Sequence, residues 1–464
     1  MQNTVSDGTA RTIEEFVSEW VRERHVPGAS VAVVDVDGPA YVEGFGVRDR
    51  DTNEPATPET LYGIGSCTKS VTAVAILRLV EEGELTLSDP VDDHLPHLQN
   101  VPGDPVTLRD LLCHRSGMPS DGFLSALLTQ LTERGDDGDP GIPLGSDDDF
   151  RRHVQLSADE RLTDRERFFY YNAGYTLLGL AIEAVTGRSY AEYVEETIFD
   201  PLGMERSCFS RRSFESRDDR MTPYNLDDDV PVEGALAFDE RLYSPGGMIS
   251  SVTEMATYVR AFLDDGTVDD HELLSPASVE EMTDRHAIRD DYLDEREQGY
   301  GYGVSSEAFL DDTVVGHGGM MGPTTAWFGY LEDAGVGAVV ACNTAPERHP
   351  SAVGKAILSL VQGVEPAETV PTYMLDRKIE PIVGEYASHR EVRTATVERH
   401  DGGIKIVADD PGWSTTFYAF PETLDPDDHR YFTVTGQGKR VPVEFVVEED
   451  DVSLLLQRWR LHKK

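Results

Sequence analysis

Ser66 and Lys69 stand one helical turn apart at the head of the stretch TKSVTAVAILRLVEE, residues 68–82. A hydroxyl and an amine at i and i+3 of a single turn are brought side by side. The free N–H groups of a helix start beneath them favour negative charge on an attacking or acyl oxygen. A lysine stripped of water can be neutral and accept the serine proton, which arginine cannot do. The pair therefore reads as nucleophile and general base. Ser-x-x-Lys alone is a weak signal. Its weight comes from composition: 34 arginines stand against 7 lysines, and Lys69 is the only lysine before Lys355. A chain that uses arginine nearly everywhere it wants a cation kept an amine here. The plain alternative is that one lysine landed there by chance.

Two more groups carry possible chemistry. Tyr170 and Asn172 lie in FFYYNAGYTLLG, entering a helical pattern. On one reading Tyr170 relays a proton beside Ser66 and Lys69, and Asn172 donates a hydrogen bond to substrate. On the other, Asn172 caps the helix and Tyr170 packs in the core. His317, Gly318 and Gly319 follow the strand-like TVVG. Glycines there let a substrate backbone approach a strand edge, and the N–H of Met320 would join that of Ser66 as an oxyanion donor. The competing reading is a strand-end turn.

Other candidates carry less. His94 and His97 have a metal-like spacing, but Pro96 breaks any shared helical face and no further ligand cluster accompanies them, so no metal is expected. GYGYG at 299–303 is not a nucleotide fingerprint, because no helix follows it. Cys67, Cys113, Cys208 and Cys342 form no C-x-x-C pair, hence neither a disulfide framework nor a zinc set. Cys67 and Cys342 read as small buried residues.

The elements that must hold these groups follow from periodicity. Ile13, Phe16, Val17, Trp20 and Val21 make a helical stripe over residues 11–24. SVAVVDV and AYVEGFGV flank Asp37-Gly38, a hairpin signal. Residues 68–82 are apolar almost all round, which predicts a helix inside the protein. TLRDLLCHRSG, YNAGYTLLGLAIEAVTG and SYAEYVEETIF are helical, with capping boxes at Ser189/Glu192 and Ser251/Glu254. The acid-rich stretches 135–149 and 225–234 read as solvated loops, with a lid role secondary. Strands return in TVVGHGG, TTAWFGYL and VGAVVACN, then a helix at 351–363. Strands early and late predict one antiparallel sheet built from both ends of a domain over 1–365, flanked by helices, with a helical insertion at about 90–240. After a linker at 366–371, residues 372–464 read as short strands separated by turns, RTATVERH, GIKIVAD, TTFYAF, RYFTVTG, VPVEFVVE and VSLLLQRW. The fold class is α+β with a C-terminal all-β, barrel-like domain.

The charge narrows the partners. In 464 residues there are 86 acidic against 41 basic, a net of −45. That disfavours nucleic acid and anionic membrane, both of which need positive footprints. No stretch approaches the ~20 apolar residues of a membrane span. The N-terminus lacks a basic region followed by an apolar run, so no secretory signal is read and a cytoplasmic location is expected. Residues 371–464 hold 17 acidic and 13 basic residues, net −4, leaving −41 on the rest. Many acids with few lysines predicts a salt-adapted protein, in which concentrated salt screens self-repulsion. An acidic enzyme of ordinary habitat is the alternative.

Ser66-x-x-Lys69, Tyr170-x-Asn172 and His317-Gly318-Gly319, in this order, resemble the serine β-lactamases and penicillin-recognising hydrolases, particularly the class C branch with its esterase and D-peptidase relatives. LYGIGSCTKSVTAVAILRLVEEGELTLSDPVDDHLP, IFDPLGMERSCF and SPGGMISSVTEMATYV add to the resemblance, which covers roughly residues 10–365. The tail resembles the lipocalin-like β-domain some members append. The resemblance implies a serine hydrolase. Ser66 attacks a carbonyl, Lys69 and Tyr170 move its proton, the N–H groups of Ser66 and Met320 hold the oxyanion, and Asn172, His317, Gly318 and Gly319 meet the substrate. Water then releases the acyl group, with Tyr170 as relay and no metal or organic cofactor. In penicillin-recognising members the third motif usually opens with a lysine that helps hold a substrate carboxylate. Here it is His317, either a substrate ligand or a strand-end residue. A largely neutral imidazole in an acidic domain favours neutral esters, or peptides read from a free amine. β-Lactamase, D-Ala-type or D-amino peptidase activity is the runner-up. A non-catalytic scaffold is the alternative of another class, and the β-domain could serve assembly into a homo-oligomer.

Overall fold

The computed structural model of the chain describes every residue except 1–3, 99–102, 119–121, 133–145, 163–166, 270, 411 and 450. The acid-rich stretch expected as a loop at 135–149 lies outside the described residues up to 145. Ser146 then caps a helix from Asp147 to Ser157. Two compact units form: Met1–Asp290 with Glu297–Val361, and Asp291–Arg296 with Gln362–Lys464.

A nine-stranded antiparallel sheet is the frame of the first unit. The early strand Gly28–Asp35 lies between the early strand Gly38–Asp49 and the late strand Val336–Cys342. Ala29 faces Cys342 and Asp35 faces Val336, so the early and late segments of this unit meet within the sheet. The next strands outward are Thr324–Leu331, Asp312–Met321 and Ser305–Phe309. Every residue of Thr324–Leu331 and Val336–Cys342 is buried, as expected of strands covered on both faces.

Helices cover the sheet. Asp7–Glu23 begins four residues before the sequence pattern, because the Ser6 side chain accepts the Thr9 N–H at 3.2 Å. Ile13, Val17 and Trp20 of its stripe are buried. Thr68–Glu81 is buried from Thr68 to Leu77, the all-round apolar helix the sequence predicts. Gly83, at φ 77°, lies just past its end. Ser189 and Glu192 form their capping box. At Ser251 half of the expected box is present. Ser251 accepts the Glu254 N–H, but the Glu254 carboxylate turns to the Arg206 N–H and the Ser207 hydroxyl. Residues 225–234 are not a plain loop. Tyr224–Asp227 and Val230–Glu233 pair as a small hairpin, with Asp228 and Asp229 both at positive φ as a type I′ turn requires.

The second unit is a closed barrel of eight antiparallel strands. The sequence pattern resolves six; it misses Gly384–Ala387 and runs the last two strands, Val452–Leu456 and Trp459–Lys463, together. The expected linker at 366–371 holds the short helix Pro366–Thr369, and Pro371–Ile379 follows. Both helices start on proline, whose missing N–H is harmless at that position. Alternation sets the interior, as in Gly403–Asp410, where Ile404, Ile406 and Ala408 point inward. Among the described residues no helix is long and apolar enough to cross a membrane.

Candidate active site

Ser66 lies in the tight turn Gly65–Cys67 that leads directly into the buried helix Thr68–Glu81. Two glycines let this turn press on the strand Asp312–Met321. A Cβ on Gly65, which sits at φ +55°, would meet the Met320 nitrogen at 2.2 Å, and a Cβ on Gly319 would meet the Ser66 nitrogen at 2.6 Å. The close approach foreseen for a substrate is thus made by the protein's own chain. It sets the Met320 backbone nitrogen against Gly65 and the Ser66 backbone nitrogen against Gly319.

Lys69 is fully buried one turn on. Its Nζ lies 2.9 Å from Ser66 Oγ, 2.7 Å from Asn172 Oδ1 and 2.6 Å from the Pro245 carbonyl oxygen. The amide and carbonyl oxygens can only accept. A free amine therefore gives them its two N–H groups and turns its lone pair to the Ser66 hydroxyl; an ammonium donates to all three. The same three partners serve before and after proton transfer.

Asn172 is the first residue of the helix Asn172–Thr186, whose cap position is Tyr171, without a side-chain cap bond. Its amide oxygen holds Lys69, so the capping reading is corrected. The Tyr170 ring centroid is 4.9 Å from Lys69 Nζ, and that of Tyr175 5.4 Å. Tyr170 stands among aromatic rings: His114 at 4.2 Å, His317 at 6.4 Å and Tyr300 at 6.5 Å. His114 is buried and accepts the Tyr171 N–H at Nδ1, and burial pushes its imidazole well below the ordinary value.

His317 is buried within its strand. Its Nδ1 faces the Gly318 carbonyl, which must accept, and its Nε2 lies 3.0 Å from the Tyr300 hydroxyl. Burial, with Lys69 and Arg289 nearby, lowers the imidazole to about 3. The ring is neutral, with its proton on Nδ1 and its Nε2 accepting from Tyr300. The Met320 side chain is exposed, whereas Met321 is buried.

Sequence reasoning missed four contributors. The Pro245 carbonyl is a backbone group with no signal of its own. His114 and Tyr300 come from segments far apart in the chain that the fold brings together. Arg289 places its guanidinium 5.8 Å from the Tyr170 ring and 6.0 Å from that of Phe168, with the Asp290 carboxylate 3.4 Å from its Nε. Of the discounted residues, His94 lies 3.3 Å from Asp89, and the His97 side chain is outside the described residues. All four cysteines are buried with free thiols, and burial raises the Cys67 thiol to about 12.

The family model described as Beta-lactamase matches residues 9–362. The chain belongs to the beta-lactamase family. A second model, the Pab87 octamerisation domain, matches residues 366–462, the barrel for which a lipocalin-like domain is expected. The octameric penicillin-binding protein homologue from Pyrococcus abyssi is 32% identical, with a TM-score of 0.88 over 98% of this chain and 99% of that one. Penicillin-binding protein 4 of Amycolatopsis lactamdurans is 28% identical over 69% of this chain and 82% of its own length. Protein flp of Staphylococcus aureus is 29% identical over 55% of this chain, and the match spans about half (49%) of that protein. The nine-stranded sheet with its helices is the fold of this family, and the eight-stranded barrel follows it.

Proposed function

We propose that this beta-lactamase family member is a serine hydrolase that cleaves esters or peptide-like amides through an acyl-enzyme on Ser66. The observation that carries the reading is the Lys69 amine, buried and 2.9 Å from Ser66 Oγ, with two pure acceptors on its other N–H groups. Ser66 Oγ attacks the carbonyl carbon as its proton passes to Lys69. The oxyanion sits between the Ser66 and Met320 N–H groups. Tyr170, beside Lys69, carries a proton to the leaving group and takes one from the water that releases the acyl chain.

The neutral, buried His317 supports neutral substrates over carboxylate-bearing ones. Position 317 offers no cation, and Arg289 is opposed by Asp290. The test compares kcat/KM for matched neutral and carboxylate-bearing esters in wild type, Ser66→Ala and Arg289→Gln. Neutral esters turn over faster in the wild type, and Ser66→Ala has no activity. A wild type that prefers the carboxylate overturns the substrate reading and brings D-Ala-type peptides or β-lactams forward. Loss of that preference in Arg289→Gln would then identify Arg289 as the clamp.

The barrel supports self-assembly. It matches an octamerisation domain, and Tyr418, Phe420 and Val434 leave 47%, 45% and 62% of their surface exposed on adjoining strands. Apolar side chains grouped in this way are found where subunits meet. Light scattering of the full chain gives a multiple of 51.3 kDa. The double variant Tyr418→Ser, Phe420→Ser gives a smaller species, and an unchanged mass in that variant removes this face from the assembly.

A further inference from the structure

His114 follows the helix Leu108–Leu112, whose cap is Cys113, and holds φ at 57°. A helix end in that left-handed conformation selects glycine or asparagine. The chain has an imidazole there instead, fully buried. Its Nδ1 accepts the Tyr171 N–H at 3.1 Å. Burial keeps the ring neutral at pH 7, so its proton is on Nε2. Nε2 is buried as well, with no hydrogen-bond partner among the described residues. A shut-in donor without an acceptor costs stability, and so does a side chain at positive φ. The helix end accounts for neither the imidazole nor its cost.

What His114 holds accounts for both. Residues 168–171 belong to no helix or strand. The two N–H groups that flank Tyr170 both go to His114: that of Phe169 to its backbone carbonyl at 2.8 Å, and that of Tyr171 to its ring. Between them the Tyr170 ring lies against the imidazole, with centroids 4.2 Å and planes 36° apart. Phe168, Tyr175 and Tyr300 close round the imidazole at 5.5, 5.2 and 5.0 Å. Packed in this way the imidazole is a fixed surface, and the phenol that rests on it stands 4.9 Å from Lys69 Nζ. An asparagine at 114 would offer the same acceptor but no face.

We propose that His114 is a positioning residue for Tyr170: it takes the N–H groups on either side, and its ring face sets the phenol beside Lys69 for proton transfer. This rests on the reading of Tyr170 as the proton carrier of the acyl-Ser66 cycle. His114 acts through Tyr170 alone, as a shape and an acceptor, with no proton of its own to move.

A double-mutant cycle with Tyr170→Phe tests it, because a residue that acts only through the Tyr170 hydroxyl has nothing left to do once that hydroxyl is gone. His114→Asn suits the positive φ and keeps an acceptor for the Tyr171 N–H, but has no ring face. His114→Phe keeps the ring face and loses the acceptor. Each is made alone and together with Tyr170→Phe, and kcat and KM are read on p-nitrophenyl acetate. Alone, His114→Asn lowers kcat about tenfold to a hundredfold, the order of loss that ~1 Å of misplacement brings, with KM little changed. Combined with Tyr170→Phe it lowers kcat by less than about twofold further. His114→Phe loses less alone and is equally silent in the combination. Wild-type kcat in His114→Asn, or the same fold loss with and without the Tyr170 hydroxyl, makes His114 a structural residue and overturns the proposal. If His114→Asn does not fold, equal losses for His114→Phe in the two backgrounds overturn it in the same way. A Tyr170→Phe enzyme with wild-type kcat removes Tyr170 as proton carrier and the role of His114 with it, whereas a slow Tyr170→Phe with an additive His114 substitution removes the role of His114 alone.

Discussion

Lys69 and Lys378 are both buried, one in each unit of the chain. Lys69 Nζ meets an amide oxygen, a carbonyl oxygen and the Ser66 hydroxyl. Lys378 Nζ meets the carbonyl oxygens of Asp425 and Asp428, close to the Tyr431 ring. Burial lowers the Lys378 amine below its ordinary value. Desolvation is therefore common to both and cannot by itself make a base. The difference lies in the third neighbour. A hydroxyl has a proton to give, and a ring of carbonyls has none. Lys378 ties a loop of the barrel together, while Lys69 is placed where a proton can leave and return.

The sharpest way to break that comparison is to replace each amine with a guanidinium. Lys69→Arg keeps a cation but cannot release a proton, so acylation falls ~10²–10⁴-fold. Lys378→Arg leaves acylation unchanged. A Lys69→Arg enzyme with more than half the wild-type rate would make the two lysines equivalent. Next in size is Lys378→Met, which strips two loop carbonyls of their donor. The barrel loses about 1–3 kcal/mol in denaturant unfolding, with kcat/KM unaltered.

The first unit has a pH dependence of its own. His317 is held neutral down to about 3, and His114 is also lowered. Above pH 6.5 the folded and unfolded chains bind equal protons at these rings. As pH falls through 6.5, the unfolded chain takes protons that the folded one refuses, so stability declines, and for His317 it keeps declining until about pH 3. At pH 5 the loss from His317 is about 2 kcal/mol. Unfolding at pH 7.5 and 5.0 measures it, and His317→Gln shows a shallower slope. A fourth, smaller effect concerns Asn172→Asp. A carboxylate beside Lys69 favours the ammonium, so the acid limb of kcat/KM moves to higher pH and the rate at pH 7 falls about tenfold. The smallest expected effect is that of salt. The region before residue 371 carries −41 and the tail −4. Molar KCl, with a Debye length of ~3 Å, raises the first unit's melting temperature by a few degrees and the barrel's less. Equal shifts, or none, would remove the salt-adapted reading.

The sequence made the scaffold legible where periodicity is strong. The all-apolar run after Ser66 could only be an inner helix, and the early and late strand runs had to share a sheet. The Ser66–Lys69 pairing was legible because helical spacing alone brings them together. The rest of the site depends on contacts that spacing does not encode. Asn172 looked like a cap because caps are local, whereas its partner Lys69 lies 103 positions away. His317 stayed open between a substrate ligand and a strand-end residue because its burial depends on Tyr300 and Tyr170, which arrive from other segments.

The central claim is that Ser66 is acylated with Lys69 as its base, and the most direct measurement is the site and stoichiometry of a covalent adduct. Wild type, Ser66→Ala and Lys69→Arg are each incubated with a fluorophosphonate and read by intact mass and peptide mapping. The account predicts one adduct per chain on the Ser66 peptide in the wild type, none in Ser66→Ala, and in Lys69→Arg an adduct on Ser66 that forms at least a hundredfold more slowly. Equal labelling of Ser66→Ala, or an adduct on Ser66 that forms as fast without the amine at 69, would contradict it.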